Sequence, residues 1–434
     1  MPASHATLDL DQLNVCFDDT HAVANAGLLL PATLADRLGI AQAADELVRV
    51  GGPAGAHAGA KLLTVIHAIL AGGDCIDDID VLRCGSTSRV LGHRVLAPST
   101  VGTFLRAFTF GHTRQLDHLT ETALARAWAA GAGPDDAPVT IDADSTIVEV
   151  HGYHKQGASY GYTKQLGYHP LLATRADTGE VLHARLRAGR ANTARGMPRF
   201  CDELIARLRR AGASGELTFR ADSGFWSAKT LKCLRRHDVR YSITVRKTKP
   251  VREVIAAIPD DAWTDIDYPD PGIAQVAEAR WKGDRLIVRR VRHLQAQGEL
   301  FPVWDYHAFV TDRVGTAVEL DRDHRRHAVV ELAIRDLKHG AGLTHCPSGR
   351  FAANAAWLLA GTLAHNLLRW VAALGLGARQ ELVCAKTVRK TLLVLPGRLT
   401  RSARRFRLHL PRDWPWARWF TMALARLHCI PFPA

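Results

Sequence analysis

The sequence predicts an α/β protein: a mixed β-sheet flanked by helices, with an inserted antiparallel β subdomain and an N-terminal helical domain. Three observations predict it. Residues 1–132 carry apolar side chains at helical spacing, residues 139–246 alternate short apolar runs with amphipathic helices, and residues 248–312 hold further strand-like runs beside an Asp-Tyr-Pro-Asp-Pro-Gly turn. With 434 residues and 47% hydrophobic content the chain can bury more than one core, and two or three domains are expected.

The elements follow in order. Leu34 to Ile40 reads as a helix with a tight turn, Lys61 to Leu70 as a short apolar helix, and Ser99 as the N-cap of a helix carrying Val101, Phe104, Leu105 and Phe108. A helix-turn-helix is a candidate over Leu34 to Val50. Gly131-Ala132-Gly133-Pro134-Asp135-Asp136 breaks the helical pattern and marks a boundary. Strands are expected at Val139–Asp144, Tyr168–Ala173 and Val181–Ala188, then a helix over Thr193–Ala211. Strand Glu216–Ala221, helix Ser227–Arg236 and strand Arg240–Arg246 complete the series. Three strands, a helix, a strand, a helix and a strand is an RNase H-like order. Strands Ile273–Trp281, Leu286–Val291 and Asp305–Thr311 form the insert, helices resume near Asp321, and Ala352–Leu374 is a core helix. The expected divisions are 1–132, 133–247, 248–312, 313–380 and 381–434.

The formal charge is +13, and it is uneven: eleven Lys or Arg lie between Lys386 and Arg426 against one acid, Asp413. Such an imbalance favours a polyanionic partner through counterion release. Trp414, Trp416, Trp419 and Phe420 interrupt this basic region and should pack against the fold. No apolar run reaches the roughly 18–20 residues of a membrane span, so no membrane association and a cytoplasmic address are expected. The eight cysteines form no Cys-x-x-Cys pair and read as reduced, mostly buried thiols.

Three acids stand out. Asp144 and Asp222 end strand-like runs, and Glu331 sits on a helix. Carboxylates on separate elements can hold two Mg²⁺ ions about 3.5–4 Å apart, which would activate a water and neutralise a scissile phosphate. Asp142 and Asp144 lie two apart and share a strand face, so either could be the first acid; Asp144, beside Ser145 and Thr146, is preferred. Glu331 and Arg335 are also spaced for a helical ion pair. His324, His327 and Glu331 offer a competing metal set on one helix face.

The motifs then become specific. Asp144-Ser145-Thr146, Gly161-Tyr162-Thr163-Lys164, Gly167-Tyr168-His169-Pro170-Leu171-Leu172, Arg220-Ala221-Asp222-Ser223-Gly224-Phe225, and Glu331 with Lys338 seven residues on occur in that order. Ala188-Gly189-Arg190-Ala191-Asn192-Thr193 and Pro347-Ser348-Gly349-Arg350-Phe351-Ala352-Ala353-Asn354 accompany them. From about residue 138 onward the chain resembles a DDE transposase of bacterial insertion sequences, in the group with a β-rich insertion and a Tyr/Arg/Glu/Lys signature. His324 and His327 stand where that signature has Tyr and Arg.

The resemblance implies a cut-and-paste DNA transposase that binds terminal inverted repeats. Asp144, Asp222 and Glu331 would be the catalytic and metal-binding acids, with two Mg²⁺ ions or Mn²⁺ in their place. Lys338, Arg335, His324, His327, Lys164, Arg187, Arg190 and Arg195 would contact DNA, and Trp263 and Trp281 are candidates to stack on a flipped base. The partners would be double-stranded transposon ends and target DNA, held by a dimer in the synaptic complex. A structure-selective nuclease and a non-catalytic repressor are the alternative classes.

Overall fold

The computed structural model describes residues 10–152, 154–161, 164–268, 272–293, 304–377 and 384–433. Five strands make one side of its large sheet: β1 (Val139–Ser145), β2 (Leu171–Arg175), β3 (Val181–Arg185), β4 (Leu217–Ala221) and β5 (Arg240–Thr244). Four more follow: β6 (Thr264–Ile266), β7 (Gly272–Trp281), β8 (Asp284–His293) and β9 (Asp305–Thr311). The spatial order is β6-β7-β8-β9-β5-β4-β1-β2-β3. β1, β4 and β5 run parallel to one another; the other neighbours are antiparallel. All five residues of β4 are buried, as a strand covered on both faces requires.

The insert is therefore not a separate sheet. β9 pairs with β5 through Phe309↔Thr244, Val310↔Ile243 and Thr311↔Ser242, so ladder hydrogen bonds carry the central sheet straight into the expected subdomain. Lys282 and Gly283, both at positive φ, turn β7 into β8. Part of the expected Pro-Gly turn, residues 269–271, lies outside the described residues, as do Tyr162 and Thr163 and the expected boundary at 380.

Helices cover the sheet. Ahead of it lie α1 (Leu29–Arg37), α2 (Ile40–Leu47), α3 (Ala58–Ala71), α4 (Pro98–Arg106) and α5 (Phe110–Ala127). Within and after it come α6 (Met197–Arg210), α7 (Ala228–Arg236), α8 (Lys249–Ala256), α9 (Ala317–Arg325), α10 (Val329–Gly340), α11 (Phe351–Trp370) and α12 (Ala417–His428). α6 buries Phe200, Leu204 and Leu208 at i, i+4 and i+8, each contributing roughly 1.5–3 kcal/mol. α11 is apolar nearly all round because it packs against α3, α5 and β3 at once.

Several expectations change. The strand expected over Tyr168–Ala173 breaks at His169-Pro170, where Pro170 has no N–H for the ladder. Leu166–Tyr168 instead joins a small sheet with Val148–Glu149 and Ser159–Tyr160. Ser99 is inside α4; the cap position is Ala97, with Pro98 as the first helical residue. The helix carrying Glu331 is two helices, because a 3₁₀ turn at Arg326–Ala328 separates α9 from α10. α1 and α2 form a helix pair around Gly39 (φ 59°), with Gln42 and Glu46 of α2 exposed and Asp45 accepting from the Gly59 amide at 2.8 Å. The cysteines are free, and only Cys201, Cys233 and Cys346 are buried. Phe420 is buried and Trp414 donates to the Thr391 carbonyl at 3.0 Å, while Trp419 stays exposed.

Candidate active site

The parallel pairing of β1 with β4 sets Ala143 opposite Ala221. The next residue on each chain is an acid, so Asp144 and Asp222 leave neighbouring strands at the same level, about 4.8 Å apart in backbone spacing. Glu331 lies in the first turn of α10, which packs against β1. The Asp222 Oδ1 accepts from the Gly224 amide at 2.9 Å, and the Asp144 Oδ1 from the Ser145 amide at 2.6 Å. Burial pushes the Asp144 carboxyl up to about 6; the Ser145 amide and His327 oppose this, while the negative charges of Asp222 and Glu331 add to it. Three carboxylates in mutual electrostatic reach make a hard, all-oxygen donor set whose repulsion a divalent cation would relieve. Oxygen donors of that kind suit a hard divalent cation.

Asp142 has a different fate. Arg220 on β4 donates from Nε and Nη2 to its two oxygens, 2.8 Å each, and His327 Nδ1 lies 2.8 Å from its Oδ1. Both Asp142 and Arg220 are buried. This carboxylate is consumed by a bidentate pair, which leaves Asp144 as the acid open to a ligand.

The other expected residues divide into those presented and those enclosed. Lys338 donates to the Ile147 carbonyl at 2.9 Å and faces Asp144; burial lowers its ammonium and Asp144 raises it. Arg190, Arg195 and Lys164 are exposed, and Lys164 holds a left-handed backbone (φ 58°). Arg187 is enclosed: its guanidinium donates to the carbonyls of His169, Asn192 and Thr193, so it builds the loop that carries Arg190 and Arg195. Glu331 and Arg335 are both exposed, and among the described residues neither has an ion-pair partner.

The two histidines point apart. His324 stacks on Phe309 at 4.0 Å, and its nitrogens meet the hydroxyls of Ser242 (2.8 Å) and Thr244 (3.0 Å). Burial and nearby cationic side chains drive it down to about 3, so it is neutral and unsuited to hold a phosphate. With His327 turned to Asp142, the metal set His324, His327 and Glu331 does not form, because the 3₁₀ turn removes the common helix face.

Trp281 is buried against Trp226, ring centroids 5.0 Å apart, with the Lys282 ammonium over both. Together with Ser223, Gly224 and Arg246 they line a cavity of about 380 Å³ beside Asp222. Trp263 lies elsewhere, under the Arg290 guanidinium and near Tyr306.

Some site residues were not singled out by the sequence. His169 is buried, with Nε2 2.8 Å from the Ser145 hydroxyl and Nδ1 2.8 Å from the Ala191 carbonyl, and it ties the strand end of Asp144 to the arginine loop. Its place in the His169-Pro170 strand break was the available signal. Arg220 and Trp226 flank Asp222 in sequence, yet only pairing across the sheet shows what they touch.

Among the described residues, three groups have ligand atoms within 4.8 Å of one another, and Asp144, Asp222 and Glu331 are not one of them: Asp117–His183–Glu203, Asp202–Cys233–His237 and Asp74–Cys75–Asp78. The first could hold an ion by spacing. Its carboxylates, however, already pair with Arg207, Arg114, Arg185 and Arg199, and that positive surround disfavours a cation. It joins α5 to β3 and α6 as a buried ion network. No helix among the described residues is long and apolar enough to cross a membrane.

No curated protein matches the sequence. Solved structures do match: a cryo-EM structure of a piggyBac transposase synaptic complex with hairpin DNA aligns over 85% of this chain and 79% of that one, at 12% identity and a TM-score of 0.45. The family described as Transposase DDE domain group 1 matches residues 6–431, and with nearly its whole length matched the protein belongs to that family.

Proposed function

We propose that the protein is a DNA transposase of a bacterial insertion sequence, with an RNase H-like core, that binds terminal inverted repeats and carries out Mg²⁺-dependent cleavage and strand transfer. The carrying observation is the parallel pairing Ala143↔Ala221, which sets Asp144 and Asp222 one residue beyond it at the same level, with Glu331 in electrostatic reach, inside a chain of the DDE family.

Asp144, Asp222 and Glu331 would hold two Mg²⁺ ions, which when bound supply Lewis acidity and a water acidic enough to attack a phosphodiester. Hydrolysis breaks the bond between phosphorus and the 3′-oxygen at the element's end and frees a 3′-hydroxyl. That hydroxyl then attacks a target phosphate and displaces the target's own 3′-oxygen, so the number of phosphodiester bonds is conserved in the second step. Lys338, anchored on Ile147 and facing Asp144, would take a non-bridging phosphate oxygen. Gly224 and Ser145 fix the rotamers of the first two acids through their amides. The exposed guanidiniums of Arg190 and Arg195 and the Lys164 ammonium serve the DNA backbone. If the second strand is cut through a hairpin, the cavity that Trp226 and Trp281 line together with Ser223, Gly224 and Arg246 would take the extrahelical base. A dimer would synapse two ends.

The test is purified protein with DNA carrying the sequences that flank the reading frame. Joined products in Mg²⁺ support this reading; cleavage without joining supports a nuclease, and binding alone a repressor. Asp222→Ala should abolish cleavage and leave end binding within a fewfold. Cutting by that variant would overturn the site assignment.

A further inference from the structure

Strand β10 (Gly397–Ser402) and strand β11 (Arg405–His409) form a hairpin that leaves the body of the protein. Its base is fixed: β10 also pairs with Ala22–Val23, Leu399 is buried and Leu408 half-buried. Beyond that base every residue from Arg401 to Arg407 is exposed. We propose that this hairpin is a DNA-binding ribbon that enters the major groove of duplex DNA. The proposal rests on the transposase reading and adds a contact surface to it.

Charge is the first support. No Asp or Glu occurs between Lys386 and Arg412. Among the described residues Arg401, Arg404, Arg405 and Arg407 have no ion-pair partner, so no carboxylate neutralises their charge. A polyanion is the complementary partner.

Geometry is the second. The pairs Thr400↔Arg407 and Ser402↔Arg405 put hydroxyls and guanidiniums together on one face, and Arg401↔Phe406 ends the other. The four residues beyond Leu399 to the apex reach roughly 13 Å at about 3.3 Å each. A two-stranded ribbon fits a major groove about 12 Å wide and about 8.5 Å deep. Phe406 is 57% exposed with the Arg401 guanidinium over its ring at 5.5 Å, an apolar group among cations that suits a thymine methyl.

The turn is the third. Ala403 (φ 47°) and Arg404 (φ 65°) both occupy the left-handed region that Asn-Gly fills without strain. Ala and Arg are strained there, and the turn sets a guanidinium at the apex.

The experiment titrates salt against binding of a fluorescent duplex taken from the DNA flanking the reading frame, with dimethyl sulfate footprinting of guanine N7 in parallel. Arg405→Ala/Arg407→Ala should lower the slope of log K against log salt by about 2, at roughly 0.9 per phosphate contact, and should unmask guanines the wild type protects. Arg405→Lys/Arg407→Lys keeps the charge and should keep the slope but lose the N7 protection. An unchanged slope and footprint in the alanine variant, with wild type binding and cutting normally, overturns the ribbon alone. Wild type that fails to bind the duplex overturns the transposase reading and the ribbon with it, and binding to anionic vesicles in place of DNA overturns the choice of partner.

Discussion

Arg220 grips Asp142 across two parallel strands, with Nε and Nη2 each 2.8 Å from a carboxylate oxygen, and neither side chain reaches solvent. The pair lies directly behind the acids of the candidate site. Breaking it from one side strands a buried charge, which costs about 3–5 kcal/mol. Arg220→Leu and Asp142→Leu should each lower the urea midpoint accordingly, while the double variant sits closer to wild type than either single one. A double variant as unstable as the sum of the singles would show that the pair is not coupled.

Asp144 pays for its company. It is largely buried and sits beside two other acids, so removing its charge relieves repulsion in the absence of metal. Asp144→Asn should melt at a higher temperature than wild type in EDTA buffer. Adding Mg²⁺ should raise the melting temperature of the wild type and leave the variant where it was. Equal Mg²⁺-induced shifts in the two proteins would place the ion elsewhere.

His169 orients the end of β1 without being one of the acids. Replacing it with Ala removes the link between the Ser145 hydroxyl and the Ala191 carbonyl. The cleavage rate should fall about 10–100-fold, the usual cost of losing such a support, while affinity for end DNA stays within a fewfold. A loss confined to DNA affinity would assign His169 to the binding loop only.

His324 should impose acid sensitivity. Folded, it refuses a proton down to about pH 3, whereas the unfolded chain takes one up near pH 6.5. The unfolded state therefore binds more protons between those values, and stability falls as pH drops through that window, by at most about 1.4 kcal/mol per unit. His324→Gln, which cannot titrate, should show a shallower loss of denaturation midpoint between pH 6 and pH 4, on the order of that term. Parallel curves for the two proteins would rule the histidine out as the cause.

What the sequence determined by itself was local. Alternation and periodicity gave strands at 139–144 and 216–221 and a helix at 193–211, which the fold has at 139–145, 217–221 and 197–210, because side-chain burial repeats with the period of the element. Motif order pointed to Asp144, Asp222 and Glu331 before any fold was known. It could not say which of Asp142 and Asp144 is free, because both sit on one strand face; Arg220, 78 residues away, decides that through strand pairing. Nor could it tell an offered cation from a spent one: Arg187 closes its own loop, Arg190 and Arg195 face solvent, and His324 is packed against Phe309. Hydrogen-bond partners and stacking surfaces come from residues distant in the chain. Period and spacing record which face a residue occupies, and only tertiary packing decides what that face meets.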